Sequence, residues 1–486
     1  MAGQIAMLTR LEVDGFKNLV EFAVDFGPLT CIAGPNGIGK SNMFDAIRFL
    51  SLLADRPIVE AAAAVRTGAG NPGCPGDLFF RSGSVQRHSF RIAAEMLVER
   101  QVCDDFGRPG SATSTFLRYE IEIGRGTGVP NDRGRYPDME LRSESLRQIR
   151  KGDAAKRLRF PHSRSGFRDR VVHNERRSRA GYISTERSNS TGAEIVVHQD
   201  GGSTGLGHGA PARHAPRTIV GTTTTVVTPT ILAARREMQG WRLLSLEPGA
   251  MRRPDRPGRD PDTVSDNGAH LAAALCRLKD SGETGDRDVI ATISSRLREL
   301  VPVNRVDVIR DEALQLLGLS ITDRDGRHFP ASGISDGTLR FLALAILAED
   351  PGAGRLLCIE EPEGGIHPGR LGAVASLVRD LAVDAGEEPG NGNAMRQVIL
   401  ATYSPYFLRL QNEDDVLLAR EVLVRRDSGP VSVLRCDPLK GTWRARLDGS
   451  KHASDVSMLL VDLQPPLNAQ LSLPLEFRAA GSVPDS

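Results

Sequence analysis

The chain reads as an α/β fold, a mixed sheet flanked by helices and interrupted by a long basic insertion. Three observations predict this. An apolar run, Leu29 to Ala33, passes through a glycine-rich turn into a segment carrying Met43, Ile47, Leu50 and Leu53 at helical spacing. Far downstream, a second apolar run from Leu356 to Ile359 ends in Glu360, Glu361 and Glu363. Between them, from about Gly124 to Glu299, Arg-, Gly- and Thr-rich segments replace regular apolar periodicity.

Taken in order, Leu11 to Val13, Phe22 to Phe26 and Leu29 to Ala33 are short strand patterns bounded by Gly and Pro. Ser89 to Val98 and Phe116 to Ile123 alternate with period two. In the second of these, Leu117, Tyr119, Ile121 and Ile123 face one side and Arg118, Glu120 and Glu122 the other. Gly268 to Lys279 and Val289 to Leu300 read as helices, whereas Gly201 to Ala210, Arg252 to Asp262 and Ala385 to Ala394 read as loops. The expected organisation is a compact domain split over residues 1–125 and 300–425. A helical and irregular basic arm fills 126–299, and a loose tail runs over 426–486.

Composition narrows the function classes. With 40% hydrophobic and 25% charged residues over 486 positions, the chain can bury a large core. A formal net charge of +1 gives no global field toward nucleic acid or membrane, so any such attraction has to be local. The first ten residues show no signal peptide, and no run of 18 apolar residues suggests a membrane span, so a cytoplasmic protein without membrane attachment is expected. Six scattered cysteines without a CxxC pair point to reduced thiols rather than a zinc site or disulfides.

Gly34-Pro35-Asn36-Gly37-Ile38-Gly39-Lys40-Ser41 fits GxxxxGK[ST] in full, with a strand before it and a helix after it. Such a loop turns its backbone N–H groups toward phosphate, and the helix N-terminus adds positive potential. Lys40 would reach the β- and γ-phosphates, the Ser41 hydroxyl would ligate Mg2+, and Asn42 completes the candidate loop. No N-K-x-D element is present, which disfavours GTP and leaves ATP. Glu360, closing a buried strand, would hold the metal, and Glu361 would polarise the attacking water. A plain acidic loop after a core strand is the competing reading, and the phosphate loop weighs against it. Ser335-Asp336-Gly337 precedes an apolar helix, Leu339 to Leu347, with good N-cap residues and a glycine that admits a phosphate; by itself the segment reads equally as the cap of a buried helix.

Together, GPNGIGKS, ISDGTLR, LLCIEEPEGGIHP and ILATYSPYFL resemble, in order and spacing, ABC-type ATPases of the SMC/RecF/overcoming-lysogenisation-defect-like group. Gly15-Phe16-Lys17-Asn18 is similar to the segment those proteins carry before the loop, and Trp241–Met251 and Asp266–Leu278 to segments between their motifs. The resemblance covers about half the chain. It implies a composite site, with ATP on Lys40 and Ser41 of one copy capped by Ser335, Asp336 and Gly337 of another. It therefore implies a homodimer or higher oligomer, with Gly364 to Pro368 at the seam. The family's switch histidine is replaced by Tyr403, which can donate a hydrogen bond but carries no comparable charge. Gln86 is a weak candidate for the glutamine loop.

The roughly 60 residues after Val424 are too few for the TOPRIM nuclease domain that similar chains carry. The resemblance therefore implies a stand-alone regulatory ATPase, the sensor of an anti-phage defence system with a separate nuclease or toxin effector. Its alternatives are a RecF-like DNA-repair ATPase and an ATP-binding scaffold with little hydrolysis. The arginines from Arg142 to Arg179 are a candidate DNA or RNA surface, set against a solvated arm in an arginine-rich chain. Arg157–His162 and Arg168–His173 fit an R-x4-H nuclease-like pattern that this arginine density produces by chance. His367 reads as a seam residue rather than a metal ligand.

Overall fold

The computed structural model describes residues 6–65, 74–83, 85–126, 139–176, 178, 180–188, 192–201, 208–280, 288–390, 392–426, 429–447 and 453–454. Its centre is a six-stranded sheet in the order Trp241–Leu244, Leu356–Glu360, Gln397–Thr402, Leu29–Ala33, Val416–Arg426, Gly429–Pro438. The first five strands run parallel and the last pairs antiparallel. Continuous apolar runs suit such strands, because a parallel sheet is covered on both faces.

The period of two along these strands sorts their side chains into two cores. Ile32, Cys358, Ile399 and Leu417 join the core shared with the helix Lys40–Leu53 and a second, antiparallel sheet. Cys31, Leu357, Ile359, Leu400 and Leu418 join the core built by the helices Leu271–Asp280, Val289–Leu300, Asp336–Glu349 and Leu371–Leu381. The fold is thus layered, with the parallel sheet in the middle.

The antiparallel sheet has eight strands, in the order His208–Pro211, Gly192–Val197, Ile183–Ser188, Glu140–Gln148, Phe116–Gly124, Ser89–Leu97, Met7–Asp14, Phe22–Asp25. Leu117, Tyr119, Ile121 and Ile123 are buried on its inner face, as the alternation predicts. Phe16, Phe49, Phe79 and Phe90 pack with ring centroids 5.1–6.1 Å apart and tie the sheet to the helix Lys40–Leu53.

The region 126–299 departs from the expected arm. Four of its segments extend the antiparallel sheet, and Trp241–Leu244 forms the edge of the parallel one. The strand Glu140–Gln148 buries only Leu141, Glu144 and Leu146, so its sequence reads as polar. Its stability comes from pairing with Phe116–Gly124, not from its own hydrophobicity. The expected tail from residue 426 is corrected in the same way. Gly429–Pro438 completes the parallel sheet, and the turn Trp443–Leu447 packs beneath it, with the Arg444 guanidinium donating to the Asp25 carbonyl and the Thr30 hydroxyl. The rest of the tail, from 455 on, lies outside the described residues. His208–Pro211, within a stretch expected to be loop, is a strand. No helix among the described residues is long and apolar enough to cross a membrane.

Candidate functional site

Parallel strands end together, and here that common edge gathers the motifs. Register pairs Glu360 with Ala401, Thr402 with Ala33 and Ala33 with Leu418, so the glycine loop, the acids and Thr402-Tyr403 emerge side by side. Gly34 N–H donates to the Thr402 carbonyl at 3.1 Å.

The loop is shaped by close approach and by left-handed backbone. Gly37 and Gly39 have φ of 83° and 103°. A Cβ on Gly34 would lie 2.5 Å from the Ala419 carbonyl oxygen, whereas one on Gly37 would meet nothing within 4 Å. The loop is therefore packed hard on its inner side and open on its outer one. Asn18 braces it, donating to the Ile38 carbonyl at 2.9 Å and accepting from Asn42 at 2.8 Å. Lys17 pairs with buried Asp45 at 2.7 Å. The segment resembling the family's pre-loop residues is thus a mechanical support for the loop.

Lys40, 9% exposed, opens the helix, and its ammonium donates to the Gly34 and Pro35 carbonyls at 2.6 Å each. Burial lowers its pKa from the usual lysine value, and Glu361 and Glu360 oppose that shift. Ser41 follows it, half-buried on the first helical turn. Across the edge, Glu361 is exposed and holds a φ of 49°, unusual for a residue with a side chain, while its N–H donates to the Ala401 carbonyl at 2.9 Å. Glu363, which sequence reasoning left without a role, is 8% exposed. Its Oε1 accepts from the Thr402 hydroxyl, and its Oε2 has no hydrogen-bond partner among the described residues. Burial raises its pKa above the ordinary carboxyl range. Tyr403 stands 45% exposed at the mouth of the site.

Ser335 caps the helix Asp336–Glu349, its side chain accepting from Thr338 N–H at 3.3 Å. Gly337 is packed so tightly that a Cβ there would lie 2.3 Å from the Gly365 carbonyl oxygen. Arg252, from a stretch read as loop, donates to Asp336 at 2.5 Å and to the Ile334 carbonyl at 2.8 Å. Ser335 and Asp336 are exposed, so this segment presents an outward face.

An open glycine cradle, a buried ammonium bonded among the described residues to carbonyls, a hydroxyl on the first turn and the Glu360 and Glu361 carboxylates opposite suit a triphosphate with a divalent cation.

Other candidates fall elsewhere. The Gln86 amide donates to the Gly76 carbonyl at 2.8 Å and locks a local turn. His162 and His173 bond the Phe160 and Arg170 carbonyls, and Arg157 pairs with Glu95 at 2.6 Å, so these three R-x4-H residues serve the fold. Arg142, Arg159 and Arg170 pair with Glu122, Asp25 and Glu388, and Arg176 stacks 4.2 Å from the Tyr182 ring, so much of the 142–179 charge is engaged internally. Arg177 and Arg179 lie outside the described residues. His367 caps a short turn by accepting from Gly369 N–H.

A phosphate loop, a carboxylate strand and a serine-capped signature helix around one parallel sheet define a P-loop domain of ABC type. Two family models match: an AAA domain whose description names an AbiEii toxin of a type IV toxin–antitoxin system, over residues 235–409, and an AAA domain over residues 10–57. A stretch of 90 residues, 18% of this chain, is 39% identical to the DNA replication and repair protein RecF of Anaeromyxobacter dehalogenans strain 2CP-C. One of 88 residues, also 18%, is 39% identical to RecF of Anaeromyxobacter sp. strain K. Each match spans 23% of the relative's length. Among solved structures, an SMC head bound to the C-winged helix domain of ScpA shares 13% identity over 89% of this chain and 98% of its own, with a TM-score of 0.46. The SMC head domain from Thermotoga maritima shares 13% over 89% and 99%, with a TM-score of 0.36. The family models and the RecF stretch, each over part of the chain, support an SMC/RecF-like protein of the ABC ATPase type.

Proposed function

We propose that this chain binds Mg2+-ATP at the parallel-sheet edge, hydrolyses it, and uses the cycle as a dimerising switch. The observation that carries this reading is the register that sets Lys40, Glu360–Glu361 and Thr402–Tyr403 side by side. Gly34 to Asn42 would cradle the phosphates, Lys40 would leave its carbonyl partners for the β- and γ-oxygens, and Ser41 with Glu360 would hold the cation. When bound, the cation withdraws negative charge from the phosphate oxygens. Glu361, exposed at the strand end, would take the proton of the attacking water, and Tyr403 would donate to the terminal phosphate. The outward face of Ser335 and Asp336, with Gly337 buried behind it, would cap the nucleotide of a second copy, making ATP part of the seam.

The toxin–antitoxin description of the family matching residues 235–409 supports a regulatory ATPase in bacterial defence, working with a separate nuclease or toxin effector. The RecF stretch supports a second reading, a DNA-linked ATPase. The internal pairing of the 142–179 arginines leaves that reading less of the expected basic surface for DNA or RNA.

The test is ATP turnover of the wild type against Glu361→Gln, with mass followed by light scattering with and without ATP. Measurable wild-type hydrolysis and an ATP-trapped dimer or larger assembly of the variant are expected. Equal inactivity, with mass indifferent to ATP, would overturn the enzyme reading.

A further inference from the structure

The switch segment has lost the family's charged histidine, yet it is tied to the carboxylate loop by another route. Ser404 N–H donates to Thr402 Oγ1 at 2.9 Å, and the Thr402 hydroxyl donates onward to Glu363 Oε1. Ser404 Oγ in turn accepts from Phe407 N–H and caps the turn Pro405–Leu408. These bonds form a directed chain from the switch backbone to a carboxyl that is more than nine-tenths buried. The chain stops there. Glu363 Oε2 has no partner among the described residues, although a buried carboxylate oxygen without a hydrogen bond is costly. The charged groups acting on this carboxyl are Glu361 and Lys40, both of the nucleotide site. Tyr403 lies between Thr402 and Ser404 in the chain, but its side chain is turned to solvent.

We propose that Glu363 and Thr402 are the positioning pair through which the nucleotide state reaches the switch segment, with Glu363 Oε2 accepting a hydrogen bond from a water of the Mg2+ shell. This rests on the Mg2+-ATP reading of the site. Filling Oε2 fixes the carboxyl, the carboxyl fixes the Thr402 hydroxyl, and that hydroxyl fixes Ser404 and the turn behind it. The information a histidine would carry from the γ-phosphate then travels from the cation through the acid loop.

The experiment uses the full chain and a fluorescent N-methylanthraniloyl-ATP, titrated in Mg2+ and in EDTA. Trypsin cleavage after exposed Arg409 reports on the switch segment. Glu363→Gln keeps an acceptor for Thr402 but replaces the second oxygen with a donor. It should bind like wild type in EDTA, which also shows that it is folded, and lose about tenfold of affinity in Mg2+, the scale of one hydrogen bond to a charged group. Thr402→Val should lose the Mg2+-ATP-dependent protection of Arg409, and Thr402→Ser should restore it. An undiminished Mg2+ gain in Glu363→Gln, or the same loss with and without Mg2+, would overturn the pair's role while leaving the ATP reading intact. A wild type that binds no Mg2+-ATP would overturn both.

Discussion

The two sheets treat charge in opposite ways. On the outer face of the antiparallel sheet, Arg10, Arg118, Arg157 and Arg159 are matched by Glu12, Asp25, Glu95 and Glu120 at 2.6–3.3 Å, and the group neutralises itself. Glu12 is held down at about 2 by Arg118 and Arg10 despite its partial burial. At the carboxyl edge of the parallel sheet, charge is left unresolved. The Lys40 ammonium is bonded to carbonyls, Glu361 sits on left-handed backbone, and Glu363 accepts from the neutral Thr402 hydroxyl, whereas Glu95, also satisfied on one oxygen, is paired with Arg118 and Arg157. The first pattern is what a fold requires of its ions, and the second is what a binding site leaves for a ligand. Charge density alone, which made the basic insertion conspicuous in the sequence, does not separate the two; the state of each charge's partners does.

That contrast can be broken by substitution. Lys40→Ala should raise the Kd for ATP about a hundredfold, since two charge-assisted phosphate bonds are lost, while the urea midpoint stays near wild type. A comparable loss of stability instead would make Lys40 a structural residue like those of the other sheet. Arg118→Ala should do the reverse. It should lower unfolding free energy by about 2 kcal/mol, below the figure for a fully buried pair because Arg118 is 24% exposed, and leave ATP affinity unchanged. Gly34→Ala sits where the two effects meet. Its Cβ would press on the Ala419 carbonyl at 2.5 Å, costing about 1–3 kcal/mol and weakening ATP binding together, as read by denaturation and titration.

The smallest effect concerns Glu237, buried behind the edge strand, where burial outweighs Arg355 and the Trp241 indole and pushes its carboxyl up to about 7. A raised carboxyl leaves the folded state holding a proton that the unfolded chain has released, so stability falls as pH rises from the ordinary value near 4.5 through about 7. Glu237→Gln removes that penalty. Its Tm relative to wild type should rise by a few degrees between pH 5 and pH 8, and a pH-independent difference would show that the carboxyl is ionised throughout.

The sequence made legible whatever is encoded by neighbours along the chain. The glycine loop, the strand ending in Glu360–Glu361 and the cap at Ser335 each need contiguous residues of fixed type, because backbone geometry and one or two side chains define them. The Glu363–Thr402 bond spans 39 residues and depends on which strands become neighbours, so no local pattern announces it. Arg252 reaches the signature segment across 84 residues for the same reason. The strands of the insertion stayed hidden because Leu141, Leu146, Ile183 and Ile195 are sparse apolar positions among arginines whose acidic partners lie on distant strands. Trp241–Leu244 escaped as well, being only four residues long and stabilised by the strand Leu356–Glu360.

One contact has a consequence for motion. Gly337 and Gly365 meet backbone to backbone, with no room for even a methyl group between them. A side chain at such a junction could change rotamer and absorb a displacement, as slack absorbs the first turn of a worn gear. Here there is no slack. A displacement of Gly337 relative to the turn that follows Glu361 would have to be taken up by backbone, since no side chain lies between them.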